Sequence, residues 1–303
     1  MGETEHAVGR TAEPAVGLEA VPALIALTKP KQTGLLLVTA IGAYVLTAAP
    51  QVDAARLALG TLALALAISG CTALNMVLDR DIDAKMERTA GRPLPSGEVS
   101  VRQATVFGVV TSLAGLALAG ACSALFLAVV GAGLFFDLLV YTAWLKRRSP
   151  LSILIGGVSG GMPALAGRVL ALGRVDAVGV MLALGVVLWI PAHILTLATR
   201  HAAEYERAGV PVWPSVYGER SARRAIAVGS VLGTVVLTAA GVLEGITQAA
   251  IVTLVGLGLV LNALAVLVLV SPTEKHNRVL FKAASVYMLG AFLCLTFGAV
   301  LAR

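Results

Sequence analysis

The chain has 303 residues, 58% of them hydrophobic and 13% charged, with 23 Lys+Arg against 17 Asp+Glu. A mean hydropathy of +0.89 excludes an ordinary soluble domain. The apolar runs also lack the alternation of barrel strands, which leaves an all-α polytopic membrane protein. No aromatic–basic interleaving of the kind that serves nucleic acid accompanies the basic balance, so no nucleic-acid partner is expected.

Residues 1–20 carry four glutamates and no apolar core, unlike a secretory signal. Residues 1–32 read as an N-terminal cytoplasmic segment ending in an interfacial helix, and residues 33–303 as a single nine-helix domain. Apolar segments of about twenty residues, enough to cross a core of roughly 30 Å, fall at 33–50, 55–77, 104–120, 122–144, 151–172, 177–198, 224–243, 247–271 and 279–301. Only Gly120-Ala-Cys-Ser separates the third from the fourth. With nine crossings, the N-terminus and the loops after segments 2, 4, 6 and 8 share one side, which then holds 19 of the 23 bases, Arg10 among them. Arg56, Arg168, Arg174 and Arg303 are the remainder. Positive charge stays inside, which predicts a plasma-membrane protein with its N-terminus and basic loops cytoplasmic. Two of those loops, 78–103 and 199–222, are long and polar, and they lie four helices apart. That spacing suggests two four-helix halves plus a ninth helix. Cys71, Cys122 and Cys294 show no CxxC spacing and read as small buried apolar residues.

Charge gathers just after the second segment. Asn75, Asp79 and Asp83 recur at i, i+4 and i+8, on one face of a helix that carries the segment into the headgroup region. Oxygens stacked this way repel unless a cation lies among them. Mg²⁺ suits them, because it takes oxygen ligands and prefers sites completed by substrate phosphates. The plainer alternative is a solvated interfacial helix whose Asp81, Lys85 and Arg88 form surface pairs. Bases flank the acids: Lys29 and Lys31 before the first segment, Arg88 and Arg92 four apart, and Lys146, Arg147 and Arg148 after the fourth. Some of these are candidates to neutralise a diphosphate, and others are plain topology determinants. The second long loop adds Arg200 as a further substrate contact, with His201, Glu204, Glu206 and Arg207. Glu204, four residues after Arg200, is read as its ion-pair partner or as a ligand of a second metal.

Within the apolar segments, His193 lies about two turns before the basic end of the sixth, and Asp137 about two turns before that of the fourth. Ionisable groups at such depth face a cavity or a partner. His193 is a candidate proton acceptor or acceptor-substrate contact, with a packing role as the alternative. Asp137 stands one α-helical turn from Tyr141, and the two are expected on one face. Arg168 is read as too far from Asp137 to pair with it. The rings of Tyr141, and of Trp189 one turn before His193, are candidates to stabilise a cationic intermediate, with an interfacial aromatic belt as the equal alternative for Tyr141.

Asn75-x3-Asp79-x3-Asp83 followed by Met86-Glu-Arg-Thr-Ala-Gly-Arg-Pro-Leu resembles the first aspartate-rich motif of the UbiA-type intramembrane prenyltransferases. Further likeness lies in Leu27-Thr-Lys-Pro-Lys, Tyr141-Thr-Ala-Trp-Leu-Lys-Arg-Arg-Ser-Pro, Ile155-Gly-Gly-x3-Gly-Gly-Met-Pro, Trp189-Ile-Pro-Ala-His193 and Glu204-Tyr-x2-Ala-Gly-Val-Pro. Within the superfamily it is most similar to the protoheme IX farnesyltransferase (heme O synthase) branch. Glu204, His201, Ala192, Arg168 and Asp137 depart from the usual pattern.

The resemblance implies nine helices around a lateral cavity that buries an isoprenoid tail. It further implies a diphosphate held by Mg²⁺ on Asn75, Asp79 and Asp83, with Lys29, Arg92 and Lys146 neutralising the phosphates. The implied reaction joins a farnesyl group from farnesyl diphosphate to a vinyl group of heme b through an allylic cation. Two rival readings stand beside it. One is a prenyltransferase for another lipophilic acceptor, such as a quinone precursor or a lipid glycerol ether. The other is a transporter with Asp137, Arg168 and His193 along a path and a broken fifth helix.

Overall fold

A computed structural model describes residues 17–303, in which every regular element is a helix; Arg10 and the rest of residues 1–16 lie outside the described residues. Among these, nine helices are long and apolar enough to span a bilayer, and the chain is an integral membrane protein. They are α1 (Pro30–Ala48), α2 (Ala54–Asp83), α3 (Val101–Cys122), α4 (Ala124–Leu145), α5 (Ser152–Leu172), α6 (Ala177–Arg200), α7 (Glu219–Leu243), α8 (Gln248–Val270) and α9 (Glu274–Ala302). Several begin or end a turn beyond their apolar runs, because helical hydrogen bonding continues where the side chains turn polar. The longest such extension carries α2 through Asp83.

Local chemistry sets most of the starts. Asp53, Ser100, Ser123, Asp176, Thr247 and Thr273 each accept a hydrogen bond from a first-turn backbone N–H of α2, α3, α4, α6, α8 and α9. Ser123, which caps α4 with its oxygen 3.1 Å from the Phe126 nitrogen, is what parts α3 from α4 inside a continuous apolar stretch. A short helix, Val21–Leu27, precedes α1.

Among the described residues two large apolar cores fill the bundle, and a smaller one packs Leu27, Met76 and Leu94 beneath the first long loop. One draws on α1 to α5 through residues such as Tyr44, Leu64, Phe126 and Leu170. The other draws on α1 and α5 to α9, with Trp189, Leu237, Leu261 and Phe292 buried in it. Thus α1 and α5 form a spine shared by both halves, and α9 closes the second half by packing against α1 and α8. The spine is tight: a Cβ on Gly167 of α5 would stand 2.0 Å from the Ala40 carbonyl oxygen of α1.

Opposite the basic loops, Arg168 binds Asp176 and Glu244 at 2.6 and 2.7 Å, and donates to the Thr47 hydroxyl at 2.9 Å. Arg303 adds bonds to the Ala49 carbonyl and to Glu244. Arg168 therefore pairs at its own end of the bundle and not with Asp137, in keeping with the sequence reading.

Candidate active site

The helical extension of α2 places Asn75, Asp79 and Asp83 on one buried face, with Asp79 only 1% exposed. Each oxygen-bearing group meets one base from a different element. Lys29 Nζ donates to Asn75 Oδ1 at 3.2 Å, Lys146 Nζ to Asp79 Oδ2 at 2.5 Å, and Arg92 to Asp83 Oδ2 at 2.6 Å. Three cations thus face two carboxylates, leaving the cluster net positive. The second oxygen of Asp79 is buried without any hydrogen-bond partner. A bare carboxylate oxygen inside a protein costs free energy until a donor or cation reaches it.

That bare oxygen suits a hard divalent cation. The ladder offers only oxygen ligands, and among the described residues no cluster of three His, Cys, Asp or Glu forms an all-protein cage. A metal here would complete its shell with substrate phosphates and water, which is how Mg²⁺ is usually held.

Backbone geometry aims the bases. Lys29, just before Pro30, adopts φ 47° and ψ 64°, a left-handed conformation that a side-chain-bearing residue holds at a cost of about 1–2 kcal/mol. Burial, then repulsion from Arg92 and Lys146, lowers the Lys29 pKa to about 8, with Asp137 and Asp79 opposing. For Lys146 burial works against the charge, but the Tyr141 oxygen and the Asp79 carboxylate outweigh it and hold the ammonium above its ordinary range. The Lys146 ammonium also lies 5.7 Å from the centre of the Tyr141 ring.

Tyr141 belongs to a π-helical run, Phe135–Leu145, and a second one, Pro191–Leu195, carries His193. Asp137, Tyr141 and His193, the titratable side chains embedded in α4 and α6, thus stand in π segments, which recur at functional sites. The π register changes one expectation. At α-helical spacing Asp137 pairs with Tyr141, whereas here the Thr142 hydroxyl, five residues on, bonds the Asp137 carbonyl at 2.7 Å. Thr142 also accepts from Asn75 Nδ2 at 2.6 Å. The Asp137 carboxylate accepts from Cys71 Sγ at 3.2 Å and lies 3.5 Å from the Ser159 hydroxyl. Cys71 is therefore a polar partner rather than the apolar filler expected.

The His193 ring is stacked between Trp189 and Phe281, with centroids 4.9 and 4.5 Å away, and Ser285 Oγ approaches its Nδ1 at 3.3 Å. The Trp189 indole donates to the Ala284 carbonyl, fixing the plane of the stack. Phe281 and Ser285 come from α9.

The two long loops meet. Glu204 Oε2 accepts from the Arg88 backbone N–H at 3.4 Å, while Oε1 lies 2.6 Å from His201 Nδ1. The bond from His201 holds the Glu204 carboxyl below its usual range. The expected pair of Glu204 with Arg200 does not form. Arg200 turns to Glu274 at 3.5 Å on the exposed surface, because the short helix Ala202–Arg207 breaks the α6 register after Arg200. The Arg88 side chain is exposed. Arg147 grips Asp81 with two bonds of 2.8 and 2.6 Å and adds one to the Leu78 carbonyl, a brace between the ends of α2 and α4.

This arrangement is an oxygen ladder faced by bases at the mouth of a helical bundle, and the model of the UbiA prenyltransferase family matches residues 35–299. The chain belongs to this family. Protoheme IX farnesyltransferase of Korarchaeum cryptofilum is 44% identical over 205 residues, covering 67% of this chain and 69% of that protein. The enzyme of the same name from Thermofilum pendens is 45% identical over 199 residues, covering 65% and 70%. Among solved structures, one of digeranylgeranylglyceryl phosphate synthase aligns with a TM-score of 0.78 at 19% identity, over 94% of this chain and 100% of that one. A UbiA homolog from Archaeoglobus fulgidus bound to GPP and Mg²⁺ aligns at 0.64 and 16% identity, over 90% and 99%. At these identities the structural likeness is one of fold.

For a UbiA-family site, sequence reasoning missed Thr142, Ser159, Phe281 and Ser285. Thr142 is hidden by the π register. Phe281 and Ser285 come from the last helix, remote in the chain from Trp189 and His193, with no motif to mark them.

Proposed function

We infer that this chain transfers the farnesyl group of farnesyl diphosphate to a vinyl group of heme b, forming heme O. The observation that carries this reading is the 44% identity, over two thirds of the chain, to a protoheme IX farnesyltransferase. The buried ladder with one base on each rung supplies the matching chemistry.

In this reading Asn75, Asp79 and Asp83 would hold Mg²⁺, with the free oxygen of Asp79 as one ligand. The metal supplies Lewis-acid stabilisation of charge on the diphosphate when bound. Lys29, Lys146 and Arg92 turn from the ladder toward the phosphate oxygens, so the net positive cluster accepts a donor of net negative charge. As the bond between C1 and the bridging oxygen breaks, its electron pair leaves with the diphosphate. Those three cations then meet the growing charge in a buried setting where each is worth most. The farnesyl C1 cation is attacked by the vinyl electrons, and water adds to the resulting heme-side cation. His193, held flat between Trp189 and Phe281, accepts the proton that this water releases, and the ring of Tyr141 borders the cation.

Residues 33–303 act as one nine-helix unit, with loops 78–103 and 199–222 as its catalytic face. The contact between Arg88 and Glu204 supports that grouping. Glu204 orders this contact, with a second metal as its alternative role; Arg88 and Arg200 offer outlying positive charge to the incoming diphosphate. The basic loops and N-terminus are cytoplasmic and the membrane is the plasma membrane, on the strength of the charge asymmetry. The deciding experiment offers the purified protein Mg²⁺, farnesyl diphosphate and heme b beside competing quinone-precursor and glycerol-ether acceptors. Heme O is the expected product by mass spectrometry. Exclusive prenylation of another acceptor overturns the assignment.

A further inference from the structure

Away from the ladder, at the basic ends of α7 and α8, a cavity of about 590 Å³ is lined by Arg220, Arg223, Arg224, Leu269, Val270 and Pro272. Its size lies within the roughly 300–1,000 Å³ of small-ligand pockets. Ordinary topology-setting arginines are hydrated one by one, but this group is different. Arg223 pairs with Glu219 at 2.8 Å, yet its Nε is buried with no acceptor. Neither Arg220 nor Arg224 has an acidic partner within ion-pair distance among the described residues. An orphaned buried guanidinium N–H costs about 1–3 kcal/mol, so Arg223 holds its charge here with one donor unmet.

A second observation points the same way. The N-terminus of α7 follows Gly218 with no side-chain cap, so the positive end of a 25-residue helix stands at the same place. The cavity's remaining wall is apolar, formed by Leu269, Val270 and Pro272, and Val270 is 71% exposed. A small hydrated ion gains nothing from that wall, whereas an amphiphile with an anionic head does.

We propose that the α7–α8 cavity binds the phosphate headgroup of an anionic phospholipid from the leaflet on the basic side. The phosphate engages Arg220, Arg223 and Arg224, and the acyl chains descend past Leu269 and Val270. The site is independent of the prenyl-transfer reading, because none of its residues touches the ladder.

The test is native mass spectrometry on the full-length protein in non-ionic detergent, titrated with dioleoyl phosphatidylglycerol or dioleoyl phosphatidylcholine. The wild-type protein retains phosphatidylglycerol preferentially. In Arg220→Gln/Arg224→Gln, two exposed positions whose change leaves the fold intact, its affinity falls about fivefold per arginine, so about 25-fold in all. The double variant Arg148→Gln/Arg207→Gln, with exposed bases elsewhere, retains the wild-type preference. Equal binding of the two lipids by wild type, or an equal loss in both double variants, overturns the proposal. So does displacement of phosphatidylglycerol by inorganic phosphate or by farnesyl diphosphate at matched concentration, which reassigns the cavity to a free anion or to the donor.

Discussion

Asp79 divides its labour between two oxygens, one held by Lys146 and the other buried and bare. Asparagine at this position keeps the size but aims a neutral amide at both. Asp79→Asn is therefore expected to lower turnover on the order of 10²–10³-fold, the usual loss for one charge-stabilising group, while membrane insertion is unchanged. Product formation and calorimetric titration with Mg²⁺ and farnesyl diphosphate check this together. Lys29 makes the site pH-sensitive. Its folded pKa, about 8, is below its ordinary 10.5, so the unfolded chain binds more protons between those values and this group's contribution to stability rises with pH across that window. Donor binding needs the charged amine, so affinity for farnesyl diphosphate falls as pH climbs past about 8. In Lys29→Arg, titration from pH 7 to 9 shows no such break, because guanidinium stays charged. His193→Ala removes the middle of the Trp189–Phe281 stack. It is expected to raise KM for heme b and lower kcat while the Kd for farnesyl diphosphate holds, and a parallel loss of donor binding would mark the ring as packing alone.

At the scale of elements, the position of Tyr141 depends on a missing side chain. A Cβ built on Gly156 of α5 would lie 2.5 Å from the Tyr141 ring, so the ring lies directly on the backbone of its neighbour. Gly156→Ala forces the ring aside, an overpacking cost of about 1–3 kcal/mol. Activity is expected to fall further than the thermal midpoint, because the displaced ring also leaves the Lys146 ammonium. Activity assays and thermal unfolding on the same preparation separate the two. How far each element is legible in sequence follows from the range of the forces that make it. The ladder Asn75–Asp79–Asp83 is visible because one helix repeats it at a spacing of four, and the α3–α4 break is visible because Gly120-Ala-Cys-Ser interrupts an apolar run. The π runs are invisible, since hydrophobic periodicity assumes 3.6 residues per turn, and at that period Tyr141, not Thr142, falls beside Asp137. The pairing of Arg200 with Glu204 fails for a similar reason: the spacing holds only while the helix continues, and it breaks at His201.

For the whole molecule, nine crossings follow from composition and charge asymmetry, because a bilayer enforces both. The shared spine of α1 and α5 does not, because it depends on which small residues face each other across the bundle. The Arg168 network is also a property of the whole. It ties α1, α5, the α5–α6 turn, the end of α7 and the C-terminal Arg303 at the end opposite the ladder. Arg168→Met strands Asp176 and leaves Glu244 only its 3.4 Å pair with Arg303, with an expected cost of about 3 kcal/mol. The midpoint of thermal unfolding in detergent reads this loss, while donor affinity at the distant ladder stays at the wild-type value.

The wide-wound stretch of eleven residues from Phe135 to Leu145 also sets the register of whatever follows it. Deleting one of its residues, for instance Val140, with the winding unchanged moves every later side chain back by one helical position. Everything downstream then swings by about 100° around the helix axis, and the ammonium of Lys146 parts from Asp79. A deletion of a single apolar residue, charge-neutral and silent by composition, is thereby as damaging to this protein as the loss of an acid.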